Sequence, residues 1–128
     1  MAEILLDSDV IIAWLRGTVP IARLIPGLLG DGHILSWTPV SVAEIFAGAR
    51  KGEERQLDNL FLVLETLVVS ADIGKKAGYY LHLYSRSHGV ELGDALIAAT
   101  ASVQEVPLWT LNRRHYPMRD LQFFSPSA

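Results

Sequence analysis

Hydrophobic positions along this chain fall into short runs with two spacings, punctuated by glycine, proline and charge. Ile4-Leu5-Leu6 is a continuous apolar run that stops on Asp7, the pattern of a buried strand delivering a carboxylate to its carboxyl end. Val10 to Arg16 then predicts a short apolar helix, capped by Ser8 or Asp9 and stopped by Gly17. Pro20 opens a second helix, on which Ile21, Leu24, Ile25, Leu28 and Leu29 recur at helical spacing, while Pro26 predicts a kink or an early end. After the turn Gly30-Asp31-Gly32, Ile34-Leu35-Ser36-Trp37 predicts a second strand.

Ser41-Val42-Ala43-Glu44 has the capping-box form, with a helix behind it to about Lys51. Glu53 to Glu65 predicts another helix, with Leu57, Leu60, Phe61 and Leu64 on one face, and Leu67-Val68-Val69 a third strand. Ser70 caps a long helix that runs to Ser87 and stops at Gly89. An alanine-rich helix follows from Ala95 to Val103, led in by Val90-Glu91-Leu92-Gly93-Asp94. Pro107 to Thr110 predicts a fourth strand, Asn112 to Pro117 a polar loop, and Leu121 to Phe124 a last edge strand. Strands alternating with helices, without repeat or linker, predict one three-layer α/β domain over residues 1–128, its mainly parallel central sheet flanked by helices.

Composition narrows the picture. Half of the 128 residues are hydrophobic, yet the longest apolar run, Val10 to Leu15, is far too short to span a membrane. The apolar excess, a mean hydropathy of +0.26, is expected to cover a buried sheet and a subunit interface, so an oligomer is anticipated. The absence of cysteine excludes disulfides and thiolate metal sites. No basic segment with an apolar core precedes the first strand, which predicts a cytoplasmic protein. A net charge of −3 is not that of a polycation, but leaves room for local basic patches.

Three acidic residues stand where secondary structure changes or begins: Asp7 at a strand end, and Glu44 and Asp94 in the first turns of helices. Asn112 is a fourth polar position, beyond the last clear parallel strand. If the strand ends converge, these carboxylates share a pocket, and like charges so close call for a cation. Carboxylate oxygens select Mg²⁺ or Mn²⁺, which assist phosphodiester hydrolysis. Each residue also has a purely structural reading. Glu44 fits N3 of the capping box, Asp94 suits a helix dipole, Asp9 a cap, Asn112 a turn and Glu91 a solvated loop. Asp7 is harder to explain that way, because a carboxylate directly after an apolar run is costly to bury unpaired. The four histidines show no ligand spacing, and Ser8 has no histidine nearby to activate it.

Together, Leu5-Leu6-Asp7-Ser8-Asp9-Val10-Ile11-Ile12, Ser41 to Ala49, Gly93 to Ala101 and Trp109 to Tyr116 resemble the PIN-domain family. Within it, the likeness is to the VapC-type toxins of toxin–antitoxin systems. The resemblance implies a PIN fold, a metal-dependent endoribonuclease, a homodimer and a VapB-like antitoxin. It implies Asp7, Glu44 and Asp94 as the acidic metal-site residues, with Asp7 and Asp94 as direct ligands. Mg²⁺ held there, with Glu44 ligating directly or through water, would orient a hydroxide toward an RNA phosphodiester. Asp9 stands where the family often has asparagine and takes a supporting role. Asn112 stands where many members carry a fourth acidic residue, so one metal ion or two is left open. Arg113, Arg114, Arg50 and Lys51 are candidates for contacts with flanking phosphates, against ordinary surface charge.

Two other readings compete. Asp7-Ser8-Asp9 after a strand is similar to the nucleophile motif of haloacid-dehalogenase-type phosphatases, which need a catalytic lysine, whereas Lys75 and Lys76 lie inside a predicted helix. A non-catalytic receiver or binding domain would fit the size, but no lysine ends a late strand.

Overall fold

The computed structural model describes residues 2–126. Its strands are β1 (Glu3–Leu6), β2 (Ile34–Trp37), β3 (Glu65–Thr66) and β4 (Leu108–Trp109). Its helices are α1 (Ser8–Leu15), α2 (Ile21–Gly30), α3 (Pro39–Ala47), α4 (Glu54–Val63), α5 (Ala71–His88) and α6 (Leu92–Gln104), and a 3-10 turn covers Arg113–His115. All pairings are parallel, in the order β3-β2-β1-β4.

The central strand shows why the layers form. Ile4, Leu5 and Leu6 are wholly buried, and alternation along the strand sends Ile4 and Leu6 to one face and Leu5 to the other. Ile4 and Leu6 pack with α1, α2 and residues of α3 and α4, including Ile11, Ile25, Ile45 and Leu57. Leu5 packs with Ile73, Ala77, Ala95, Ala98 and Ala99 of α5 and α6. Two cores therefore sandwich one sheet, the three-layer α/β arrangement that the alternation of elements predicts. The alanines let α6 lie close against α5. By the same alternation, Asp7 emerges at the carboxyl end of β1 on the side of α6.

Local chemistry moves several predicted boundaries. Helix α3 begins at Pro39, because the Thr38 hydroxyl accepts from Ser41 N (3.3 Å) and proline suits the first turn. Ser41 is thus inside the helix and Glu44 stands a turn further on, so the capping-box reading of Ser41 and Glu44 is incorrect. The box exists on α6 instead, where Glu91 is the N-cap and Glu91 N donates to Asp94 Oδ2 (3.3 Å). Asp7, rather than Ser8 or Asp9, caps α1, its Oδ1 accepting from Ser8 N (2.8 Å). Helix α2 contains Pro26 and still reaches Gly30, so the predicted early end does not occur. The third strand is Glu65–Thr66 rather than Leu67 to Val69. Trp37 Nε1 donates to Thr66 Oγ1 (2.8 Å) and fixes that register, while Val68 lies exposed beyond the edge.

The α5 boundaries follow the sequence, with the Ser70 hydroxyl accepting from Ile73 N (3.3 Å) and Gly89 left-handed at φ 64°. The last predicted strand is reduced to a single parallel bridge between Leu108 and Phe123. Lys76 and Asp120, 2.7 Å apart, hold that C-terminal segment against α5. Among the described residues, no helix is long and apolar enough to cross a membrane.

Candidate active site

Parallel strands leave their functional groups at the carboxyl edge of the sheet, and here that edge carries Asp7. Asp7 is 9% exposed, and both of its carboxylate oxygens accept hydrogen bonds. Besides Ser8 N on Oδ1, its Oδ2 accepts from the Thr110 hydroxyl (2.8 Å) and from the Tyr116 hydroxyl (2.8 Å). Asn112 N donates in turn to Thr110 Oγ1 (3.1 Å), so the loop after β4 supplies a relay of donors that ends on Asp7. Such a set offsets the cost of burying the charge.

Glu44 reaches the same edge from α3, which packs against both α1 and α6. Ser8 Oγ lies 2.8 Å from Ser41 Oγ and 2.9 Å from Glu44 Oε1. One hydroxyl has one proton, so Ser8 donates to the carboxylate and receives from Ser41. A Cβ added at Gly93 would stand 3.8 Å from Glu44 Oε2, which places Glu44 over the first turn of α6, beside Asp94.

The acidic groups also act on one another through charge. The Tyr116 phenol is pushed far above its ordinary range by burial, by Asp7 through its charge and hydrogen bond, and by the charges of Asp94 and Asp9. Burial raises the Asp94 carboxyl; the Glu91 N–H and His115 oppose this, and Asp7 and Glu91 add to it. Burial also pushes Asp9 up to about 6, helped by the charge of Asp7 and opposed by backbone N–H groups of Leu111 and Val10. Asp9 Oδ2 accepts from Leu111 N (3.1 Å), while its Oδ1 is buried without a hydrogen-bond partner among the described residues.

Asp7 and Asp9 thus meet at Thr110, Glu44 is joined to Asp7 through Ser8, and Asp94 lies within reach of the Asp7 charge. Asn112 is at the rim, its side-chain nitrogen 3.1 Å from His115 Nε2. Arg114 is exposed beside it, whereas Arg113 is engaged, stacked 4.8 Å from the Phe123 ring centroid and bonded to the Ser125 hydroxyl. Arg50 and Lys51 are exposed beyond the end of α3, and among the described residues no hydrogen bond or ion pair ties their side chains to the acidic group. Thr110, Tyr116 and His115 are parts of this site that sequence reasoning missed. Only the polar residue directly after Leu108-Trp109, in parallel with Asp7 after Leu6, could have signalled Thr110.

The donor set suits a hard divalent cation. It is all oxygen, it carries mutually repelling carboxyls raised by burial, and one buried oxygen of Asp9 is unpartnered. Among the described residues, no three Asp, Glu or His side chains already stand close enough to enclose an ion. An open arrangement fits Mg²⁺, which keeps several waters and takes one or two carboxylates. The lysine a phosphatase would need is elsewhere: Lys76 is paired with Asp120 and Ser102.

The PIN-domain sequence profile matches residues 4–121. The chain belongs to the PIN-domain family. Within it the likeness is to VapC-type members. The chain is 42% identical over 116 residues to ribonuclease VapC10 of Mycobacterium tuberculosis, covering 90% of this chain and 86% of that one. It is 35% identical over 120 residues to ribonuclease VapC19 of the same organism, covering 92% and 96%. Among solved structures, VapBC2 from Rickettsia felis bound to a DNA fragment from its promoter superposes with a TM-score of 0.78 at 21% identity, covering 95% of this chain and 97% of that one. PIN membership also sets aside the haloacid-dehalogenase and receiver readings.

Proposed function

We propose that this PIN domain is a VapC-type endoribonuclease, the toxin of a toxin–antitoxin pair, and that it hydrolyses RNA phosphodiester bonds with Mg²⁺, for which Mn²⁺ can substitute. The observation that supports the mechanism is the hydrogen-bonded set on Asp7, held by Thr110, Tyr116 and Ser8, with Glu44 tethered through the same Ser8 and Asp94 within reach of their charge. The ribonuclease relatives support the substrate class.

Asp7 and Asp94 would hold the ion, and Glu44 would contribute directly or through water. When bound, the ion supplies Lewis acidity to the scissile phosphate and neutralises its developing charge. The rest is done by the chain. Thr110 and Tyr116 hold Asp7 Oδ2, so that oxygen cannot rotate away. Ser8, itself held by Ser41, donates to Glu44 Oε1, and the Glu91 N–H anchors Asp94 at the first turn of α6. Asp9 supports the site through Leu111, and Asn112 positions Thr110. Arg114, with Arg113, Arg50 and Lys51 further out, would contact flanking phosphates.

A VapB-like antitoxin and a second copy of the chain are the proposed protein partners. Exposed apolar side chains, among them Phe61, Leu62, Val68, Tyr79, Leu83 and Leu92, offer surface that such contacts bury. The cytoplasm, where an RNA-cleaving toxin meets its substrate, is the proposed location. The profile match over most of the chain supports reading it as a single PIN domain.

The test is RNA cleavage by purified protein across a Mg²⁺ or Mn²⁺ titration, with Asp94→Asn as control. Cleavage should require the ion and be lost in the variant. Equal cleavage by Asp94→Asn, or cleavage indifferent to EDTA, would overturn the mechanism. A short neighbouring reading frame encoding a DNA-binding antitoxin would support the toxin role.

A further inference from the structure

Ser8, Ile12 and Leu15 recur at helical spacing along one side of α1, which packs against α3, and Arg16 stands just past its end. Ser8, at the start of that side, is the tether of Glu44. At the other end, Arg16 Nη1 donates to Glu53 Oε2 at 2.5 Å, and Glu53 Oε1 accepts from Arg50 N at 2.6 Å. The Glu53 side chain is 14% exposed, so a half-sheltered carboxylate in the connector between α3 and α4 ties α1 to that turn.

Arg16, Glu53 and Glu44 all line one cleft of about 30 Å³, with room for one or two waters, completed by Ile12, Ile45 and Gly48. The guanidinium thus has two carboxylates around one small space and is bonded to one of them. Glu44 keeps Oε1 on Ser8, and its Oε2 has no hydrogen bond or ion pair among the described residues. A guanidinium and a divalent cation compete for the same carboxylate. An arginine takes it through charge-assisted and often bidentate bonds, and it would also set a like charge beside the ion.

We infer that Glu53 is a positioning residue of the acidic site, acting through Arg16. It holds the guanidinium at the outer end of the cleft, off Glu44, and so keeps Glu44 open to a cation. The Arg50 N–H fixes the second oxygen of Glu53, so the carboxylate stays with the connector and holds Arg16 there. The inference rests on the reading of Asp7, Asp94 and Glu44 as a metal site and adds the residue that keeps one of them unpaired. Glu53 itself touches neither ion nor RNA.

The test titrates Mn²⁺ into the RNA-free protein at physiological salt and reads free Mn²⁺ by electron paramagnetic resonance. Glu53→Gln keeps the shape, loses the charge and should weaken Mn²⁺ binding roughly tenfold, the lower end of the range for residues that act on a metal ligand. The double variant Arg16→Met with Glu53→Gln should return to within about twofold of the wild type, because no guanidinium is left to compete. Arg16→Met alone should also stay within about twofold, since that group is already off Glu44. Glu53→Asp, the milder change, should lose part of the affinity and regain it with Arg16→Met, so the cycle can be read even if the amide variant does not fold. Thermal melts establish which variants fold.

Unchanged affinity in Glu53→Gln, or a double variant as weak as the single, would overturn the inference. So would an Arg16→Met that gains as much affinity as Glu53→Gln loses, the mark of long-range charge alone. A merely structural ion pair would lower the melting temperature of Arg16→Met and Glu53→Gln alike and leave their Mn²⁺ affinities equal. If only this inference fails, the wild type binds Mn²⁺ and Asp94→Asn loses it, while Glu53→Gln binds as the wild type does. If the metal-site reading fails, the wild type and Asp94→Asn bind Mn²⁺ alike or not at all, and the role of Glu53 falls with it.

Discussion

The Tyr116 hydroxyl donates a 2.8 Å hydrogen bond to Asp7 Oδ2 across 109 residues of chain. Burial, the charge and hydrogen bond of Asp7, and the charges of Asp94 and Asp9 raise this phenol far above its ordinary range, which keeps its proton in place as a donor near neutral pH. Thr110 donates to the same oxygen at 2.8 Å. Two donors on one oxygen fix the plane of the carboxylate that would hold a cation. An oriented ligand of this kind gains its precision from groups that never touch the ion.

Tyr116→Phe removes one donor and keeps the ring in the core. Metal affinity or activity should fall roughly 10–100-fold, the range for partners that orient a metal ligand. A Mg²⁺ titration of cleavage separates the possibilities, because a loosened Asp7 shifts the midpoint to higher Mg²⁺. An unchanged midpoint would show that Thr110 alone holds Asp7.

Asp94→Asn and Glu44→Gln should differ in kind. Asp94 is half-buried among like charges, so the amide removes a repelling charge as well as a ligand. Cleavage should fall more than about 100-fold while the melting temperature of the metal-free protein rises. Glu44 is exposed on α3 and tied to Ser8, so Glu44→Gln should reduce cleavage with little change in Tm. A destabilised Asp94→Asn would mean that its hydrogen bond to Glu91 N outweighs the repulsion.

Asp9 gives a pH dependence of defined sign. Its folded-state value of about 6 lies above the ordinary 3.8, so the folded protein holds this proton more tightly than the unfolded chain. Its contribution is therefore most favourable below about pH 4, and stability is lost as pH rises toward about 6. Asp9→Asn should flatten that slope in the metal-free protein and raise Tm at neutral pH. Melts from acid to neutral pH without metal check it. A lower neutral Tm in the variant would show that the bonds from the Leu111 and Val10 backbone N–H groups to the charged form are worth more than its burial costs.

Much of this was legible in the sequence, and the reason is local. Ile4 to Asp7, the Ser70 cap and Gly89 each declare themselves through residues that are neighbours in the chain. Asp7, Glu44 and Asp94 were legible as candidates because each sits at a boundary between elements. The roles inside those boundaries were not. The Ser41–Glu44 spacing resembles a capping box, yet Thr38 and Pro39 start the helix earlier and turn Ser41 into a buried donor for the site. Conversely, Glu91 looks like a loop residue and caps α6. Tyr116 and Thr110 acquire their partner Asp7 only when the segment after β4 folds over the end of β1, a contact with no local signature. The third strand shifted because a single tertiary bond, from Trp37 to Thr66, outweighed the β-propensity of Leu67 to Val69.

Asp120 answers acid in the opposite direction to Asp9. Burial pushes its carboxyl up, but donors from Lys76, Tyr80 and Ser102 outweigh this and bring it down to about 2. A lowered value means stability that is present above about pH 4 and lost as pH falls toward about 2. The Lys76–Asp120 pair is solvent-accessible, so its worth is small, at most about 1 kcal/mol, and should shrink in high salt. The effect is also local. Asp120 holds the segment whose backbone bonds to β4, with Leu108 N donating to Gln122 O and Phe124 N to Leu108 O, both at 2.8 Å. Asp120→Asn should therefore speed amide hydrogen exchange at Leu108 and Phe124 near neutral pH, while exchange in β1 stays as in the wild type. As pH falls toward about 2 and Asp120 is neutralised in the wild type, the difference between the two proteins should shrink. Equal exchange at neutral pH would show that the aromatic contact of Trp109 with Phe124, at 5.4 Å between centroids, secures the segment without the ion pair.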